Sequence, residues 1–567
     1  MKPRPEPSFT SSLRAPSQVM RLARLGSFHQ CRLSFMRILT RRMAREAWSF
    51  TRPIFDIDAK GVGHAVYCAH TPDRTYSLVA FAHDLPAESR SDRVIAQAWD
   101  STFALFDGVP TKEDIARLRR NVPFQEAGRV TETELSVSRA NRSVRLWEHV
   151  IARLADGRQP DLREILKVGY LMRTTAVYGS GKLGAADREA IAARPECSAP
   201  FQIEMLSVFL IRAYVRDLVQ HMAKTRGGAR AVPLAPEIAR RMGIGNSTGL
   251  GMAPFLLNHP TLINNWIAAR ETAIARVRSV PLASADEVET FRDLLARTIL
   301  SVDLWRSDHP IQIEKLTDLR VDLQRLSHHV EAADLNTEAP WNRLFMWAET
   351  ELCLEAQECL ASLMLEPYGD LVDSLADEMS DLNPAAFRID GTMSVAQLRE
   401  ILHRNYGWAM DIDWAERENC ARAWYVSEEK LEPRLGERFD EPIADYEQPL
   451  APGRDAAALN DALKSWHVDA PVAAFLLAHP EHRHSVRRAQ IVDHAPYAEI
   501  RDNTISADLL PIDMLRCKLA FFGATQFDPR SDRWVRICLF GNAPYPENLQ
   551  ESNCDDWPYP VLGETLQ

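Results

Sequence analysis

Residues 243–266, GIGNSTGLGMAPFLLNHPTLINNW, gather Gly243, Gly245, Gly249 and Gly251 around Asn246, Ser247 and Thr248 and then reach a His-Pro pair. Glycines at this density suit positive φ or close backbone approach and cost conformational entropy, so a functional loop is expected here. A helix start behind such a loop offers unpaired N–H groups to an anion. His259 can move a proton near neutral pH and takes the acid/base role. Asn265, beside Asn264, sits one turn into the following helix, where its amide can point back toward the loop. The competing reading is plainer: Asn258 caps the helix, His259 packs, and the glycines reverse the chain.

A second glycine segment, YGSGKLG at 178–184, matches G-x-G-x-x-G at Gly179, Gly181 and Gly184. That spacing serves dinucleotides when a strand precedes it and a helix faces the pyrophosphate. Here the preceding DLREILKVGYLMRTTAV is periodic like a helix, so a dinucleotide is not expected and the cofactor stays unassigned. Backbone N–H groups of the loop, with Lys182 and the upstream Arg173, Thr174 and Thr175, form a set that can hold a carboxylate or phosphate. If the two glycine segments meet, His259 and Lys182 are the catalytic pair. Arg173, Thr174, Gly181, Asn246, Ser247, Thr248 and Asn265 then bind the substrate.

Other clusters carry less. His479, His482, His484, Asp493 and His494 supply metal-ligand types, but Arg483, Arg487 and Arg488 among them repel a cation, and no metal is assigned. Glu349, Glu351, Glu355 and Glu358 share a helical stretch without the Glu-x-x-His partner of carboxylate-bridged metal bundles, and read as a solvated face. Arg139, Arg142 and Arg145 recur every three residues, as on one helical stripe, and YVSEEKLEPRLGER (425–438) is a polar, non-repetitive loop. No nucleophile elbow, kinase set or P-loop is present.

The chain around these residues has 567 residues, 46% hydrophobic and 26% charged, with a formal charge of −11. Such a balance gives no basic field for nucleic acid or an anionic membrane. No apolar run reaches the ~20 residues of a membrane span. Nine cysteines without a CxxC pair point to reduced thiols and a cytoplasmic location. Residues 1–47 hold nine Arg and one Lys against Glu6 and Glu46; they read as a disordered tail or an upstream start, with organellar targeting as the alternative.

GHAVYCAH (63–70) and TYSLVAFAH (75–83) form a hairpin across TPDR, and KLAFFGAT (518–525) with RWVRICLFG (533–541) suggests a second, which could pair with the first in one sheet. Between them the apolar spacing predicts helices at 91–108, 111–122, 131–156, from Asp161, over 202–223, and at 260–279, 284–301, 309–330, 339–366, 392–407 and 455–466. The expected fold is therefore mainly α: a multi-helix, bundle-like core with small β-hairpins near both ends, or α+β. Its segments are 1–47 (leader), 48–90 (hairpin), 91–424 (helical core) and 425–567 (mixed). The expected function is an intracellular enzyme binding a small anionic metabolite between the glycine loops, possible as an oligomer. A non-enzymatic helical protein that binds an effector or partner is the alternative.

Overall fold

A computed structural model of the chain describes residues 13–85, 98–124, 131–174, 191, 193–248, 260–379, 388–416, 424–427, 433–435, 447–450, 452–501, 516–517, 520–529, 535–551 and 555–559. Its strands are β1 (Ser49–Ile57), β2 (Gly63–His70), β3 (Thr75–Ala82), β4 (Ser101–Asp107), β5 (Glu134–Arg142), β6 (Tyr170–Thr174), β7 (Gly243–Thr248), β8 (Trp424–Ser427), β9 (Pro433–Leu435), β10 (Glu447–Leu450), β11 (Gln526–Pro529) and β12 (Val535–Leu539). Nine of them form one sheet in the order β1-β2-β3-β4-β5-β6-β7-β12-β11. Every neighbouring pair is antiparallel except β6 and β7, which run parallel. β8, β9 and β10 make a small separate sheet.

This sheet overturns the expectation of a mainly α, bundle-like core with only small hairpins at its ends. The N-terminal hairpin is present as β2 and β3; at the C-terminal end the expected second strand is β12, but its partner β11 starts only at Gln526, after the expected strand 518–525, and four more strands lie between the two pairs in the sheet. These four came from stretches read as helix or loop. STFALFD is β4, ELSVSRANR is β5, YLMRT is β6 and GIGNST is β7. Short apolar runs fit helical and strand spacing equally well, and burial on the sheet decides between them. At 520–522, within the expected strand 518–525, the chain is helical.

The helix starts written in the sequence hold well. Thr111 and Asp114 close a capping box, as do Ser284 with Glu287 and Ser394 with Gln397. Asp161 caps Leu162–Val168, and Gly169, at φ +79°, stops that helix so that β6 can begin at once. The longest helix, Gln202–Gly227, is buried around most of its circumference and packs beneath β2, β3, β5 and β7. On the opposite face Lys112–Asn121 covers β2 to β5 through Ile115 and Leu118.

The basic N-terminal segment is not peripheral from residue 14 onward. Leu22, Phe28, Leu33, Phe35 and Met36 are buried in the main core. Arg14 forms a bidentate pair with Glu271 (2.8 and 2.7 Å) and also donates to Glu358 at 2.6 Å. Arg24 and Arg270 reach the same Glu358 carboxylate, each at 2.7 Å. Glu358, read as part of a solvated face, is therefore fully buried among three guanidiniums, which hold its carboxyl well below the usual range.

A second, smaller core joins the helices Val395–Met410, Pro452–Leu463, Val472–Ala478 and Arg483–His494 through Leu398, Leu402, Leu459, Phe475 and Val486. It docks on the main body where Asn264 Oδ1 accepts from the Tyr497 N–H (3.0 Å) and the Tyr497 hydroxyl donates to the Arg14 carbonyl (2.7 Å).

Candidate functional site

β6 and β7 position the site. Because they are parallel, with Thr174 opposite Asn246, the chain leaves both strands at the same end of the sheet. It leaves β6 toward the segment holding Gly181 and Lys182, and β7 toward the segment holding His259. Those three residues, and Gly249 and Gly251, lie outside the described residues.

Within the pair, the register shifts between Tyr170 and Arg173: Tyr170 stands opposite Gly243, and Arg173 opposite Gly245. An extra residue on β6 thus lets two side chains three positions apart share one face. On that face β7 carries no side chain at Gly243 and Gly245. Neither glycine has a positive φ. Their need is steric: a Cβ on Gly245 would lie 2.6 Å from the Tyr170 ring, and one on Gly243 would lie 2.2 Å from the Leu539 carbonyl oxygen. The stretch is thus a strand with glycines for close approach, not a glycine loop feeding a helix.

A cleft opens beside Tyr170 and Arg173. It is lined by Arg142, Arg145, Lys167, Arg173 and Arg536, together with Tyr170. Arg536 sits on β12 opposite Ser247, one row along from Arg173. Lys167 donates to Glu164 at 2.6 Å, and Arg142 lies 3.5 Å from the buried Asp100 carboxylate with its guanidinium over the Trp147 ring. Among the described residues no carboxylate, histidine or cysteine lines the cleft. Guanidinium and ammonium groups arranged this way can give an anion charge-assisted hydrogen bonds.

Of the residues singled out in the sequence, Arg173 lines this cleft. Thr174 and Asn246, paired in register, are buried on the other, core-facing side, and the Thr174 hydroxyl donates to the Gly245 carbonyl at 3.4 Å. Ser247 takes the register position facing Arg536, and Thr248 ends the strand. Asn265 stands on the helix Pro260–Arg278, where its Oδ1 accepts from Asn264 Nδ2, and it is not among the cleft residues. Arg139 and Arg142 are on a strand, so they do not share a helical stripe. Sequence reasoning missed Lys167, Arg145 and Arg536 as members of one site. Only the strand order, which places β12 beside β7, brings a residue 363 positions after Arg173 to the same face.

No protein-family model, curated protein or solved structure matches this chain. Among the described residues no helix is long and apolar enough to cross a membrane, and no group of three or more His, Cys, Asp or Glu is placed to hold a metal ion.

Proposed function

We propose that the protein binds a small anion, a carboxylate or phosphate, in the cationic cleft over β6, β7 and β12. As an enzyme it would use Lys182 and His259, delivered by the segments that leave β6 and β7, for acid/base chemistry on that anion. The observation that carries this reading is the wall of five cationic residues, with no carboxylate among the described lining residues. Guanidiniums fixed on a sheet can meet developing negative charge without reorganising, which is the general source of electrostatic stabilisation in a site. A cytoplasmic location is supported by the seven described cysteines, all unpaired thiols.

A second reading, effector binding without chemistry, draws on the same cleft and is favoured by the absence of histidine and cysteine among its described lining residues. A thermal-shift series with phosphate, sulfate and small carboxylates tests the shared claim. The account expects at least one of them to raise Tm of the native protein, and Arg536→Gln to remove that rise. A rise that survives Arg536→Gln together with Arg173→Gln, or none with any anion, refutes it. Loss of turnover in His259→Ala with anion binding retained would then favour the enzyme over the effector protein.

A further inference from the structure

The cations of the cleft reach it from four separate elements. Arg142 and Arg145 come from the end of β5 and the turn after it, Lys167 from the helix Leu162–Val168, Arg173 from β6 and Arg536 from β12. Arg173 and Arg536 are separated by β7, which puts their backbones about 10 Å apart by ordinary strand spacing. Arg173 is buried, whereas Arg145 and Lys167 are exposed, so the positive charge runs from the interior of the cleft to its mouth.

That placement discriminates between anions by shape. A carboxylate presents two oxygens in one plane, a set that a single bidentate guanidinium already meets. The phosphoryl group of a phosphate monoester presents three oxygens splayed in different directions and carries nearly two charges at neutral pH, so donors from several elements can meet it at once. Its dianion only accepts hydrogen bonds, and guanidinium and ammonium groups only donate them. The Ser143 and Tyr170 hydroxyls complete the polar lining. Two of the cations also serve acids, Lys167 with Glu164 and Arg142 beside Asp100; a ligand there shares their donors rather than taking them over.

We propose that the ligand of this cleft is a small phosphate monoester bound as its dianion, a choice that rests on the anion-binding reading of the cleft.

Calorimetric titration of the full-chain protein at pH 7.5 with methyl phosphate, dimethyl phosphate, acetate and sulfate tests this. Methyl phosphate should bind at least tenfold more tightly than dimethyl phosphate, a monoanion, or acetate. The second ionisation of such esters lies near pH 6, so at pH 5.0 methyl phosphate should bind about tenfold more weakly. Sulfate, a dianion at both pH values, should bind equally at the two. Arg145→Gln, at an exposed position, should weaken methyl phosphate at least threefold. Acetate binding as tightly as methyl phosphate, methyl phosphate binding equally at both pH values, a parallel fall for sulfate, or unchanged affinity in Arg145→Gln would each overturn the monoester while leaving the anion cleft standing. A phosphoserine peptide binding tenfold more tightly than methyl phosphate would overturn the assignment to a small molecule. Binding by none of the four anions would refute the cleft reading itself.

Discussion

Asp555 shows how single charges fasten this fold. Its carboxylate takes hydrogen bonds from Arg37 at two points (both 3.1 Å) and from Arg41 at 3.3 Å, and lies 3.1 Å from Arg32. The three arginines, Arg37 first, pull its carboxyl down to about 2, against burial that pushes it up. A carboxyl with a depressed folded pKa stabilises the fold above its unfolded value, near 3.8, and loses that contribution as pH falls toward 2. The shift corresponds to about 2 kcal/mol. Asp555→Asn should therefore lower unfolding free energy by roughly that amount at pH 7 in urea titrations, and the gap should close near pH 2. A gap independent of pH would contradict the ion-pair account. Arg32, Arg37 and Arg41 were legible in the sequence only as a basic run. Their partners are hundreds of residues away, and no local pattern encodes such pairs.

At the scale of elements, capping signals were readable because they are local: a Ser, Thr or Asp with its acid or amide three residues on fixes a helix start whatever surrounds it. β7 was not readable. GIGNST has a single β-branched apolar residue, Ile244, and its glycines look like a loop until Tyr170 is placed across from them. The steric account makes a prediction. Gly245→Ala should cost about 1–3 kcal/mol, as overpacking typically does. In a Tyr170→Ala background the same change should cost less than about 1 kcal/mol, because the ring it collides with is gone. Denaturant midpoints of the four proteins in this cycle measure the coupling, and equal costs in both backgrounds would show that the glycine serves another need.

For the whole molecule, the sheet joins both ends of the chain, since β1 and β11 are its two edges and the strands from residues 170–248 lie between. Apolar periodicity reports which elements exist but not their neighbours, so a sequence reading that found the N-terminal hairpin and β12 still missed the strands between them. The N-terminal segment follows the same logic. Its arginines suggested a solvated leader, yet Arg14 and Arg24 are buried counter-ions for Glu271 and Glu358. A chain starting at Trp48 would leave those glutamates buried with only Arg270 beside them, and would strip Phe28, Leu33 and Phe35 from the core. It should fail to give a cooperative thermal transition, since breaking a buried ion network alone costs about 3–5 kcal/mol. Native-like unfolding of the shortened chain would show that the segment is dispensable.

The most direct measurement of the central claim is a crystal of the full chain soaked in selenate and examined by anomalous scattering. The account predicts a selenium peak in the cleft, within hydrogen-bond reach of the Arg173 and Arg536 guanidiniums. An empty cleft beside well-ordered arginines would contradict it.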